Sequence, residues 1–132
     1  MQNDECGMQR GSMEQKRDIL ERTKAFALRI IRLYSALPQK TEAQVLGKQV
    51  LRSGTSVGAQ LREGKRSRSD VEMISKTESA LQELEETAYW LELLAESGIV
   101  KAELLADLQR ETDELTAILV TSVKTLKSRK AK

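Results

Sequence analysis

With 132 residues, only 3% aromatic side chains and a single proline, the chain has room for one domain with one core, and its abundance of Leu, Ala, Glu, Lys and Arg is that of long helices. Histidine is absent and Cys6 is the only cysteine, which excludes an internal disulfide, a thiol pair for a metal, and any Ser-His or Cys-His nucleophile. The net charge of +2 hides three unlike blocks: 14 basic against 7 acidic residues in 1–68, 3 against 13 in 69–123, and 5 against none in 124–132.

Residues 1–13 carry two glycines and no apolar period, so a disordered leader is expected. It has no apolar core of a signal peptide, and nowhere does the chain approach the ~18 apolar residues of a membrane span. With a lone thiol, this predicts a cytoplasmic protein without a membrane partner. A first helix is expected over 14–37, where Ile19, Thr23, Phe26, Ile30, Leu33 and Leu37 form one stripe and Arg22, Arg29 and Arg32 lie off it. Pro38 ends it, because proline disfavours helical geometry at the residue before it.

A second helix is expected over 42–64, with Thr41 and Gln44 as a capping box and a stripe of Leu46, Val50, Ser53, Val57 and Gln60 or Leu61. Gly47, Gly54 and Gly58 each cost about 1 kcal/mol relative to alanine in a helix. They therefore need a packing reason, and a smooth waist that lets another helix come close is the expected one. A kink near Gly54 is the alternative. Arg52 and Glu63, three turns apart, bracket the waist on one face.

The basic turn Lys65, Arg66, Arg68 follows, and Ser69 with Glu72 forms the next capping box. Over 70–97, Ile74, Thr77, Leu81, Leu84, Ala88, Leu91 and Ala95 alternate steps of three and four as a coiled-coil seam, the expected partner of the waist. Gly98 suits a left-handed C-terminal conformation. A fourth helix over 101–126 places Leu105, Leu108, Thr112, Leu115, Leu119, Ser122 and Leu126 on one face. Short links favour antiparallel neighbours, so residues 14–127 should form an all-α, up-down-up-down four-helix bundle. Residues 128–132 are a basic tail expected to fray.

No catalytic, cofactor-binding or metal-binding residue emerges. Carboxylate-bridged metal sites in bundles use Glu-x-x-His pairs, and Glu83, Glu85, Glu86 and Glu92 have no histidine to join. Ser53, Thr55 and Ser56 would act as nucleophiles only beside a desolvated lysine; packing is the simpler role for such small residues. Tyr89 and Trp90 suit core or interface anchors, or a stacking platform if exposed beside basic residues. Lys65, Arg66, Arg68, Lys124, Lys127, Arg129 and Lys130 are candidate phosphate contacts, blind to sequence. The favoured reading of the charge blocks is basic and acidic helices pairing within the fold or between subunits.

The segments GKQVLRSGTSVGAQLREG (47–64), RSRSD (66–70) and ELEETAYWLELL (83–94) closely resemble bacterial four-helix bundle proteins first noticed as open reading frames in intervening sequences of 23S ribosomal RNA genes. The likeness extends from Asp18 to Lys127. It implies a left-handed bundle assembling as a homopentamer, and kinship with the accessory protein of diversity-generating retroelements, a basic pentamer that binds RNA and its reverse transcriptase. Arg52, Ser53, Glu63, Glu83, Glu86 and Trp90 fall on signature positions of the family; Gly54, Gly58 and Gly64 are the packing positions beside them. Gln60 stands where family members commonly have asparagine. The expected function is a non-enzymatic homo-oligomer with weak, electrostatic RNA binding; the alternative is a protein-interaction scaffold without a nucleic-acid role.

Overall fold

The structure, a computed structural model, describes the backbone of residues 11–131 and the side chains of residues 19–129. It contains four helices: α1 (Gly11–Ala36), α2 (Thr41–Lys65), α3 (Asp70–Glu96) and α4 (Ala102–Ala131). Of the expected leader, residues 1–10 lie outside the described residues, and residues 11–13 already belong to α1. At the other end α4 continues through Ala131, so residues 128–131 of the segment expected to fray are helical, and Lys132 lies outside the described residues. A bidentate contact from Arg129 to Asp70 ties the end of α4 to the start of α3.

The links carry their own hydrogen bonds. The α1–α2 corner is fastened by Tyr34, whose hydroxyl donates to Gln44 Oε1 (3.0 Å), while Gln44 Nε2 donates to the Pro38 carbonyl (3.0 Å). This corrects the expected Thr41–Gln44 capping box: the N-cap is Lys40, with no side-chain cap, because Gln44 is committed to the corner. The α3 cap does form, with Ser69 Oγ accepting from the Glu72 N–H (3.1 Å) and Glu72 Oε1 accepting from the Arg68 N–H (3.2 Å). Gly98, at φ +80°, takes the left-handed conformation that closes α3 at no steric cost.

Neighbours in sequence are neighbours in space. α1 packs on α2, α2 on α3, α3 on α4, and α4 meets α1 more loosely; among the described residues no diagonal pair comes close. Partner numbers rise on α2 as they fall on α1 and α3. Ile30 faces Gly54 and Thr23 faces Gly58, while Arg52 meets Glu83 and Glu63 meets Lys76. Those two contacts are therefore antiparallel.

The core is filled by Phe26, Ile30, Val50, Val57, Leu84, Leu91, Leu94, Leu105, Leu115 and Leu119, each no more than 1% exposed. Burying such side chains contributes about 1.5–3 kcal/mol apiece, the dominant favourable term of the fold. Three expected stripes shift slightly. Leu46 gives way to Ala43 and Gly47 on α2, and Ser122 to Val123 on α4. On α3 the expected Ile74, Thr77, Leu84 and Leu91 are buried, but Ala80, Thr87 and Leu94 take the places expected for Leu81, Ala88 and Ala95, which are only half-buried.

The two faces of α2 and a candidate nucleic-acid interface

α2 is one uninterrupted helix through Gly54, and it is gripped on two sides. The expectation that the glycine waist faces α3 is corrected: its glycines face α1. A Cβ at Gly54 would lie 2.7 Å from Ile30 Cγ1, and one at Gly47 would lie 2.5 Å from Leu37 Cδ1 and 2.8 Å from the Tyr34 ring. At Gly58 the nearest atom, Thr23 Oγ1, would be 3.3 Å away. The stem of a fully buried, β-branched isoleucine cannot move aside cheaply, so no side chain fits at Gly54 against Ile30 without a shift of the helices.

Toward α3, α2 presents polar groups instead. Ser53, fully buried, lies 2.7 Å from Thr87 Oγ1, and Thr87 in turn donates to the Glu83 carbonyl at 2.8 Å. Arg52 spans Glu83 (3.3 Å) and Glu86, and its hydrogen bond to Glu86 raises the guanidinium pKa above its ordinary value. Glu63 accepts from Lys76 Nζ at 2.5 Å, and a Cβ at Gly64 would sit 3.2 Å from the Lys76 Cβ. The signature residues Arg52, Ser53, Glu63, Glu83 and Glu86 thus form one strip joining α2 to α3. Trp90 lies beyond it, with its indole Nε1 buried and without a hydrogen-bond partner; the Gln60 Oε1 is in the same condition.

This strip is built for cohesion. Ser56 Oγ donates to the Arg52 carbonyl (2.7 Å) and Thr55 Oγ1 to that of Leu51 (2.8 Å), so these hydroxyl protons are spent on the helix itself. Glu83 and Glu86 serve Arg52. Among the described residues no cluster of Cys, Asp or Glu is arranged to hold a metal ion.

One more contact joins the first helix to the last, and residue spacing does not reveal it. Arg22 donates to Glu111 through Nη2 (2.7 Å) and Nε (3.2 Å) and to Glu114 (2.9 Å), joining α1 to α4. Its side chain is 25% exposed and that of Glu111 21%. The hydrogen bond to Glu111 raises the Arg22 pKa, against the lowering effect of burial. The two partners are 89 positions apart; the acidic excess of α4 was the only available hint.

The basic candidates gather at one end of the bundle. Lys65 closes α2, Arg66 is its C-cap, and Ser67 Oγ donates to the Gly64 carbonyl at 2.6 Å, giving a tight turn. Lys65, Arg66 and Arg68 are exposed and have no ion pair among the described residues, as does Lys124 one turn before Lys127. Lys127 and Arg129 are engaged, with Glu78 and Asp70 at 3.0 Å each. The bond to Asp70 raises the Arg129 pKa. Lys130 lies on α4, its side chain outside the described residues. Tyr89, 53% exposed, and Trp90 have ring centroids 5.2 Å apart, two-thirds of the way along α3 from this turn.

The molecule is thus a small all-α bundle of four helices, with a polar strip between its middle helices and a cationic turn at one end. Its sequence places it further: a model described as 23S rRNA-intervening sequence protein matches residues 15–121, and the chain belongs to that family. Among solved structures it is similar to a protein of unknown function from the S23 ribosomal protein family of Bacteroides thetaiotaomicron VPI-5482, with 36% identity and a TM-score of 0.76. That likeness covers 80% of this chain and 98% of the other. No curated protein matches the sequence. Among the described residues no helix is long and apolar enough to cross a membrane.

Proposed function

We propose that this protein is a non-enzymatic, cytoplasmic homo-oligomer whose basic end binds RNA weakly through its phosphates. The observation that carries this reading is the Arg129–Asp70 contact, which brings the basic end of α4 against the α2–α3 turn. Lys65, Arg66, Arg68 and Lys124 are exposed and carry no ion pair among the described residues. Lys127 and Arg129 are half neutralised by their partners, so affinity per subunit is low and several subunits acting together supply the avidity. The five-fold count rests on the family resemblance, and the segregation of charge supports a head-to-tail ring.

Titration of single-stranded RNA against salt tests the binding. Three turn cations release counterions with a log–log slope of about −2 per engaged subunit. Lys65→Glu, Arg66→Glu and Arg68→Glu together should abolish association. No association at low salt, or an affinity indifferent to salt, overturns the RNA reading. A monomer mass by light scattering at working concentration and moderate salt overturns the oligomer. The second reading, a protein-interaction scaffold, is favoured by the engagement of Lys127 and Arg129 within the chain. It is the outcome if the oligomer stands and RNA does not bind.

A further inference from the structure

At the end of the bundle away from the basic turn, the loose α1–α4 junction opens into a groove of about 610 Å³. Its floor is apolar, built by Leu33, Leu37, Leu105 and Leu108, and Leu104 stands on its edge 72% exposed. Arg29, Arg32 and Lys101 also line it, and none has an ion pair among the described residues. An apolar trough edged by three uncommitted cations suits an apolar ridge flanked by carboxylates.

The chain itself carries such a ridge. Along the outer face of α3, Glu85, Tyr89, Glu92 and Glu96 follow one another at steps of four, three and four, all exposed, with Tyr89 backed by Trp90. The three glutamates have no ion pair among the described residues. Glu85 and Glu96 lie about 16 Å apart at 1.5 Å per residue, a length over which several carboxylates can meet the cations of the groove.

We infer that the groove between α1 and α4 receives the Glu85–Tyr89–Glu92 ridge of α3 from a second copy of the chain. The inference rests on the oligomer reading above and gives it an interface. Groove and ridge lie on different faces, so the contact is heterologous and each subunit offers one of each, the arrangement that closes into a ring. Leu104 and Tyr89 are the buried anchors of that contact, and the salt-bridging rim sets its orientation.

The test uses two full-length variants whose changes lie on exposed side chains, Leu104→Asp on the groove and Tyr89→Lys on the ridge, with Arg32→Glu as a second groove variant should Leu104→Asp fail to give the wild-type helical circular dichroism. Light scattering should give wild-type protein as an oligomer and each variant alone as the 14.8 kDa monomer. Mixed in equal amounts, Leu104→Asp and Tyr89→Lys subunits retain one intact ridge and one intact groove between them. They should form a 1:1 dimer and nothing larger. A monomeric wild type would overturn both this interface and the oligomer reading. An oligomeric wild type whose mass survives both substitutions would overturn the interface alone. Loss of assembly with Leu104→Asp but not Tyr89→Lys would mean that groove meets groove or another surface, and a mixture that stays monomeric would break the pairing; either result overturns the inference.

Discussion

Ser53 Oγ and Thr87 Oγ1 lie 2.7 Å apart in the buried interface of α2 and α3, and the direction of their hydrogen bond follows from the neighbours. Thr87 gives its proton to the Glu83 carbonyl, so it accepts from Ser53. Removing one partner leaves the other's polar atom buried with less to bond, at a cost of about 1–3 kcal/mol. Removing both together costs less. Ser53→Ala and Thr87→Val should each lower stability by about 1 kcal/mol or more, and the double variant by clearly less than their sum. Denaturant melts of the four proteins measure this; strict additivity would contradict the assigned bond.

The glycines of α2 should respond unequally to alanine. Gly54→Ala gains about 1 kcal/mol of helix propensity but drives a methyl into Ile30, an overpacking that costs about 1–3 kcal/mol. Gly58→Ala meets Thr23 Oγ1 at 3.3 Å, a tight contact that a shift of a few tenths of an ångström relieves, so the strain roughly offsets the gain in helix propensity. The expected order is a destabilised Gly54→Ala and a Gly58→Ala within about 0.5 kcal/mol of wild type. Equal midpoints in urea would count against the close approach of α1.

Two of the arginines that bridge helices, Arg22 and Arg52, sit in different surroundings. Arg22→Ala strips a half-buried Glu111 of a bidentate partner and should cost about 2 kcal/mol. Arg52 is 52% exposed, and Arg52→Ala should cost about 0.5 kcal/mol, less at high salt. Thermal melts at two ionic strengths separate them, and a larger loss from Arg52 would reverse the ranking.

Stability should be flat across neutral pH. The pKa values of Arg22, Arg52 and Arg129 are raised by their carboxylate partners. A raised folded-state value means that the contribution is fully present below the ordinary arginine pKa and is lost only as pH rises through the still higher folded value, far above neutrality. With no histidine in the chain, the melting temperature should move by less than about 3 °C between about pH 6 and pH 9. A steeper slope would locate a coupled titration elsewhere.

The four helices and most of their inward residues were legible because apolar residues recur at helical spacing, as in Phe26–Ile30–Leu37 and Leu105–Leu108–Leu115–Leu119. The α3 seam slipped because 81, 88, 95 and 80, 87, 94 are both consistent with a period near 3.5. Hydrophobicity favours Leu81 over Ala80, yet Ala80 is the buried one, while at 94 and 95 the larger Leu94 is inside, so side-chain character within one helix does not pick the line. That Gly54 faces α1 while Ser53 faces α3 depends on which neighbour lies on which side, and spacing within one helix carries no such information. The Thr41 cap failed for a similar reason: Gln44 was claimed by Tyr34, ten residues upstream.

The double grip on α2 also decides where the bundle can move. Turning this helix by one residue, about 100°, would swing the glycine track away from Ile30 and drag Ser53 and Arg52 off α3 at once. Sliding it would break the same contacts. α1, α2 and α3 therefore behave as one stiff body, and compliance is left to the α1–α4 boundary, pinned by Arg22 toward one end and open toward the other. Whatever seats itself in that opening can spread α1 from α4 only at that end, since α4 stays packed along α3 and tied to it by Lys127 and Arg129.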